Sequence, residues 1–218
     1  MSSDVESSVR LKPDTGEPPA LVLDWDGTVT EVDSLHMLIE RFGDHEVFVA
    51  LEAEVGRSLT LDAVIAAELA TVRAPYDEVR NWLLEHVRVR PGFRELVAEH
   101  DPLIVSAGFH ETIEPILARE GIDARVVANH VRADTAGWQT TFAAGSPCTT
   151  CDERCKREAV AGLGPYVHVG DGVSDRCVSL AATRRFARDG LARWLDEQGV
   201  VYEPFDDLHD VRRALALP

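Results

Sequence analysis

The sequence predicts an α/β fold in which a parallel sheet is covered by helices and a helical insert follows the first strand. Three observations carry that prediction. Short apolar runs alternate with amphipathic stretches along the chain, the pattern of strands buried on both faces by crossover helices. Most of these runs lead into small or acidic residues, as strands do when their carboxyl ends carry ligand-facing loops. The interval between the first two runs is too long for a simple connection, and its apolar residues recur at helical spacing.

Taken in order, residues 1–19 are rich in Ser, Pro, Asp and Glu and lack an apolar stretch. They read as a flexible tail rather than a signal peptide, which makes the cytoplasm the expected location. The first strand is expected at 21–25. In the insert, Leu35, Leu38, Ile39 and Phe42, then Val47, Leu51 and Val55, then Leu61, Val64, Ile65 and Leu69, then Val79, Leu83 and Val87 form four apolar helical faces. Gly43, Gly56, the turn at 58–60 and Pro75 separate them. Asp33 and the Arg90-Pro91-Gly92 turn bound the insert at 34–89, so residues 20–33 and 90–218 make up the core. Further strands are expected at 103–106, 125–128, 166–170 and 184–187, with a weaker one at 200–202. Helices are expected at 93–99, 111–119, 153–161, 174–182, 191–198 and 208–215. Residues 129–147 read as a hairpin followed by a loop.

At 218 residues the chain is long enough for a full hydrophobic core. No apolar run reaches the length of a membrane span, and the longest, at 64–70, is broken by Glu68. A formal net charge of −16 opposes any polyanionic partner, so neither nucleic acid nor a membrane is expected as one. Of the four cysteines, Cys148, Cys151 and Cys155 are crowded together and Cys177 stands apart. They read as free thiols or a metal site, not as a disulfide framework. A structural zinc on Cys148, Cys151 and Cys155 would need a fourth ligand, such as Asp152, His130 or another histidine. One C-x-x-C without a second matching pair leaves that set incomplete, so zinc is the less favoured reading.

Four short motifs carry candidate chemistry. In LVLDWDGTVT, at 21–30, alternation along a strand brings Asp24 and Asp26 out on the same side at its carboxyl end. Two carboxylates so close repel unless a cation joins them or one keeps its proton; the plainer reading is a strand-ending Asp-Gly turn. In HVGDGVSD, at 168–175, Asp171 ends a strand and Asp175 falls about one turn into a helix. Oxygen ligands from separate strand ends suit Mg²⁺, whereas a structural reading makes them helix-capping residues. In IVSAG, at 104–108, the Ser106 hydroxyl is followed by Ala107 and Gly108, a backbone suited to a phosphate oxygen. Lys156 precedes the 166–170 strand by a helix length and could neutralise phosphate and a nucleophile, although a lone lysine is ordinarily a solvated surface residue.

Together, Asp-x-Asp-Gly-Thr, Ser, Lys and Gly-Asp-x-x-x-Asp occur in the order of the four motifs of the haloacid dehalogenase-like superfamily, which the chain resembles from Ala20 onward. The resemblance implies a Rossmann-like core with a helical cap and a Mg²⁺-dependent phosphatase acting on a small phosphorylated metabolite. It further implies that Asp24 is the nucleophile, forming an aspartyl-phosphate, and that Asp26 is its acid/base partner. Asp24, Asp171 and the Asp26 carbonyl would hold the metal, with Asp175 behind them, and Ser106, Ala107, Gly108 and Lys156 would bind phosphate. GDGVSD, FARDGL, YEPFDDLHDV and the Cys-rich stretch before the lysine make the chain look most like the branch of phosphoserine phosphatase and 2-hydroxy-3-keto-5-methylthiopentenyl-1-phosphate phosphatase, the latter above all. Where the phosphoserine enzymes carry a cap arginine, alignment of the 61–72 helix puts Glu68, which disfavours phosphoserine. Glu31 and Asp33, at the entry to the insert, are candidates for substrate contact or simply helix-start acids. A different class also uses a phosphorylated Asp, Mg²⁺, a hydroxyl and a lysine: the signalling receiver domain. The second Asp of the first motif and the insert argue against it.

Overall fold

The computed structural model describes residues 19–217, so the expected tail at 1–19 lies outside the described residues except for Pro19. Seven strands form one sheet in the order β4-β3-β2-β1-β5-β6-β7. These are β1 (Ala20–Leu23), β2 (Leu103–Phe109), β3 (Arg125–Arg132), β4 (Gln139–Thr141), β5 (Tyr166–Gly170), β6 (Arg184–Ala187) and β7 (Glu203–Pro204). Neighbours are parallel except for the β3–β4 hairpin. The chain runs outward from β1 through β2 and β3, then returns to β1's other side for β5, β6 and β7. That reversal opens a crevice at the carboxyl ends of β1 and β5, where open α/β sheets place ligands. Val22 and Leu23 of β1 and the whole of β5 are buried, as central strands covered on both faces must be.

The helices of the core are α5 (Phe93–His100), α6 (His110–Glu120), α7 (Arg157–Val160), α8 (Arg176–Ala181), α9 (Asp189–Gln198) and α10 (Leu208–Leu215). Between β1 and β2 run α1 (Ser34–Phe42), α2 (His45–Glu52), α3 (Leu61–Leu69) and α4 (Tyr76–His86). The first three start on the residues best suited to it: Asp33, Asp44 and Thr60 each accept a backbone N–H through the side chain. The insert is tied to the sheet through the hairpin. Trp138, between β3 and β4, donates its backbone N–H to the Leu69 and Val72 carbonyls and its indole N–H to the Ala74 carbonyl at 2.9 Å.

Several boundaries differ from the sequence expectation, each for a local reason. The first strand stops at Leu23 rather than at 25, because the Trp25 carbonyl turns to accept the N–H groups of Thr28, Val29 and Thr30. The second runs on to Phe109 through an irregular register after Val105. The last short strand falls at 203–204 instead of 200–202. The helix expected at 153–161 shrinks to Arg157–Val160. Its first turn is lost to a loop in which Asp152 adopts φ 58° and Cys148 N–H donates to the Glu153 carbonyl at 2.9 Å.

Candidate active site

Asp24 is the first residue past β1, and its N–H still donates to the Val169 carbonyl of β5 at 2.9 Å, so the sheet sets its position after strand pairing ends. Trp25 turns into the core, fully buried and edge-on to Phe93. The strand-like alternation therefore leaves Asp24 and Asp26 on the opposite side. Gly27 then makes the turn at φ 75°. A Cβ there would stand 2.3 Å from Asp171 Oδ2, so both conformation and contact require glycine.

Arg90 clamps this turn from beneath. Its buried guanidinium donates to the carbonyls of Gly27 and Thr28 at 2.8 Å, of Thr30 at 3.1 Å and of Asp206 at 3.0 Å. Carbonyls that the turn leaves unpaired are thereby satisfied without another helix or strand. From sequence, Arg90 stood out only as part of a boundary turn. A buried arginine looks like any other until the carbonyls around it are known.

The second group gathers behind Asp24. Lys156, itself buried, places Nζ 2.5 Å from Asp24 Oδ1 and 2.8 Å from Asp175 Oδ1. The other Asp175 oxygen accepts the N–H groups of Asp171 and Gly172 at 3.0 and 3.1 Å. Asp175 is thus both the turn-capping acid and the lysine's partner. Burial alone would raise its pKa, but Lys156 and His168 outweigh burial and hold it well below the usual carboxylate range. Burial would likewise lower the lysine, and Asp175 and Asp24 push it up instead. Asp171 Oδ1 accepts from the Thr28 hydroxyl at 2.7 Å.

Asp24 is pushed well up by burial and then by Asp175, with Lys156 opposing. Burial and then Asp175 raise Asp171 to about 6. One oxygen each from Asp24, Asp171 and Asp175 lies within 4.8 Å of the others. Crowded, buried, oxygen-only donors with one lysine among them are under-neutralised, and a hard divalent cation such as Mg²⁺ fits that donor set.

Asp26 has a different setting. Its Oδ1 accepts from the backbone N–H of Ser34 at 2.9 Å and from the Ser34 hydroxyl. Burial and then Asp33 raise it to about 7, against the pull of those hydrogen bonds. Gly108 backs it closely, since a Cβ there would meet Asp26 Oδ2 at 3.0 Å. Ser106 is buried at the site, and its hydroxyl oxygen accepts the Gly108 N–H at 2.9 Å. That N–H, expected to face a ligand, is therefore already taken.

These groups open on a cavity walled by the insert. Leu35, Ile39, Phe48, Val55, Leu61 and Ile65 make its apolar side, and Asp33, Glu52 and Glu68 its acidic side. Among the described residues, no Lys or Arg of the insert lines it. Glu68 is only 3% exposed, and its Oε1 has no hydrogen-bond partner. Burial, then Glu52 and Asp33, push its carboxyl up to about 8. Asp33 caps α1 and lines the cavity, whereas Glu31 is exposed and does not. Opposite α3, Arg154 forms a two-pronged ion pair with Asp62 at 2.7 Å on each prong, joining the loop before Lys156 to the insert. Cys148, Cys151 and Cys155 converge with Cys177, while His130 pairs with Glu111 at 2.9 Å instead.

The sequence matches the model of the haloacid dehalogenase-like hydrolases over residues 21–179. The chain belongs to that family. Its enzyme class is phosphatase, in keeping with its curated relatives. It is 29% identical over 213 residues to the 2-hydroxy-3-keto-5-methylthiopentenyl-1-phosphate phosphatase of Lysinibacillus sphaericus, covering 88% of this chain and 91% of that one. The protein of the same name from Exiguobacterium sibiricum is 28% identical over 208 residues, at 88% and 93% coverage. Among solved structures, a phospho-aspartyl intermediate analogue of phosphoserine phosphatase superposes with a TM-score of 0.66 at 18% identity, covering 91% of this chain and 99% of that one. Phosphoserine phosphatase from T. onnurineus gives 0.64 at 20% identity, with 94% and 97% covered. At these identities the structural likeness speaks for the fold, an α/β core with a mostly parallel sheet. No helix among the described residues is long and apolar enough to cross a membrane.

Proposed function

We propose that the chain is a Mg²⁺-dependent phosphomonoester hydrolase that works through an aspartyl-phosphate on Asp24. The observation that carries this reading is the pairing of Asp24 with Lys156 at 2.5 Å, beside a second acid, Asp26, raised to about 7. A carboxylate oxygen of Asp24 attacks phosphorus as the ester P–O bond breaks. Asp26, protonated near neutral pH, gives its proton to the leaving alkoxide. It then takes one from the water that attacks the phosphoryl group, releasing phosphate and restoring Asp24. Ser106, the Ala107 backbone and Lys156 hold the phosphoryl oxygens, Gly108 instead directing its N–H to the Ser106 hydroxyl oxygen, and Lys156 also orients Asp24. Asp24, Asp171 and the Asp26 carbonyl would hold Mg²⁺, with Asp175 behind, and the ion supplies positive charge to the phosphoryl oxygens.

Residues 20–33 and 90–218 act as the catalytic core, and residues 34–89 as a cap that covers the leaving group and excludes water. The wall it presents, apolar with three carboxyls, supports a small, partly apolar and uncharged leaving group. A methylthiopentenyl-1-phosphate-type substrate fits that description and the names of the relatives. Phosphoserine would bring its own carboxylate into a cavity whose wall, among the described residues, offers no Lys or Arg to pair with it, a costly burial of charge. Such a metabolite places the work in the cytoplasm, with no nucleic acid or membrane as partner.

The test is release of phosphate from p-nitrophenyl phosphate and from a panel of small phosphomonoesters, with Mg²⁺ and with EDTA. Turnover that needs Mg²⁺ and falls by about 10³-fold or more in Asp24→Asn is expected, with uncharged esters preferred over phosphoserine. Full activity in Asp24→Asn would end the covalent account, and a protein that is phosphorylated but never turns over would be a receiver-like module.

A further inference from the structure

Cys148, Cys151, Cys155 and Cys177 come from two separate parts of the fold, the loop at 142–156 and the first turn of α8, yet their sulfurs all lie within 4.8 Å of one another. Four thiolates around one zinc at about 2.3 Å stand about 3.8 Å apart along the edges of a tetrahedron. Cys148 Sγ and Cys177 Sγ are 3.7 Å apart, a non-bonded distance that matches that edge. The turn carrying the first two cysteines is already wound around a sulfur. The Thr150 N–H donates to Cys148 Sγ at 3.4 Å, the Asp152 N–H donates to the Cys148 carbonyl at 2.8 Å, and Asp152 takes φ 58°. Backbone N–H groups aimed at sulfur favour a thiolate, the form that binds metal.

A second observation is independent of the sulfurs. Residues 143–155 place no side chain in any hydrophobic core cluster. Nevertheless this loop positions Arg154 on Asp62 and Lys156 on Asp24. A loop of this length without secondary structure needs another source of order, and a bound ion that joins it to α8 provides one.

We propose that these four cysteines form a structural zinc site that fastens the 142–156 loop to α8 and so holds Lys156 in place. Cys155 adjoins Lys156, and Cys177 lies two residues past Asp175, so the ion spans the two chain segments whose side chains meet at Lys156 Nζ. The fourth ligand is Cys177, in place of Asp152, His130 or another histidine. The closed set of four sulfurs leaves no open position for a substrate, as a structural site requires.

The full chain, purified under reducing conditions without chelator, is expected to carry about one zinc per chain by elemental analysis. Cobalt put in its place should give the visible absorption of a tetrahedral all-thiolate ion. Asp171→Asn should keep its zinc, which separates this ion from any metal at the carboxylates. Cys151→Ser, at an exposed position, should lose most of it and expose the loop to trypsin at Arg154 and Lys156. Four freely titrating thiols, or a Cys148–Cys177 disulfide, with neither zinc nor cobalt taken up by the unsubstituted chain, would overturn the site. These readouts do not depend on phosphatase activity, so they stand or fall apart from the proposed reaction.

Discussion

At the sheet edge, Asp24 and Asp175 share the Lys156 ammonium at 2.5 and 2.8 Å, whereas across the cavity Glu68 is just as buried and has no partner for Oε1. The contrast extends to the neighbours. Asp171 has the Thr28 hydroxyl and Asp175 has two backbone N–H groups, while Glu52 and Asp33 add only further negative charge around Glu68. Buried acids are costly unless paired or protonated. The edge takes the first course and the wall the second. The edge thus holds fixed, paired charge, whereas the wall keeps a proton on Glu68 beside two further carboxyls, Glu52 and Asp33.

Breaking the edge should have the largest effect. Lys156→Met removes the one cation from between two buried carboxylates, leaving Asp175 without its counter-charge. A loss of about 3–5 kcal/mol of stability is expected, with at least about a 100-fold fall in kcat. Urea unfolding and steady-state kinetics with Mg²⁺ would measure both. Stability close to that of the parent would mean that the lysine is not the keystone of the network.

The wall gives a smaller and oppositely signed effect. Because folding raises Glu68 from 4.5 to about 8, the folded state holds this proton more tightly than the unfolded one. The stabilisation is complete below about pH 4.5 and disappears as pH rises through about 8. Glu68→Gln, which keeps the shape and cannot ionise, should therefore match the parent at pH 5 and exceed it above pH 8. The gain should be on the order of 2 kcal/mol, or a few degrees in Tm, allowing for solvent that reaches the cavity. Parallel melting curves across that range would remove the distinction between wall and edge.

The smallest effect is expected where the two regions meet. Arg154→Ala cuts a partly buried ion pair with Asp62 near the surface, worth up to about 1 kcal/mol, and should raise KM a few-fold while leaving kcat nearly unchanged. A double-mutant cycle with Asp62→Asn would isolate the coupling, and additive effects would show that the loop and the insert act independently.

Much of the fold was legible because its signals are local. The runs at 103–106 and 166–170 are strands buried on both faces, those at 125–128 and 184–187 are strands only partly covered, and the apolar stripes at 34–89 fall on four helices save Val55 and Val87, just past the ends of α2 and α4. The errors fall where hydrogen bonds from elsewhere override local pattern. The helix expected from 153 begins at Arg157, since residues 153–156 serve the cysteine turn and Asp24. At the site, the strand-end positions brought Asp24, Asp26, Ser106 and Asp171 within reach of one another in prospect. Arg90 and Ser34 were invisible, because their partners are a backbone turn and a carboxylate whose positions only folding defines.

The sequence by itself determined the α/β class, the helical insert after the first strand and the acidic residues presented at strand ends. Each follows from periodicity and from the two-residue alternation of a strand, which need no knowledge of distant contacts. Only the tertiary structure decided that Lys156 is buried between two aspartates, that Glu68 faces an apolar cavity without a cation, and that Cys177 completes a set of four sulfurs. Those are relations between segments far apart in the chain, and their energies depend on burial and on distances of a few ångströms that no spacing along the sequence encodes.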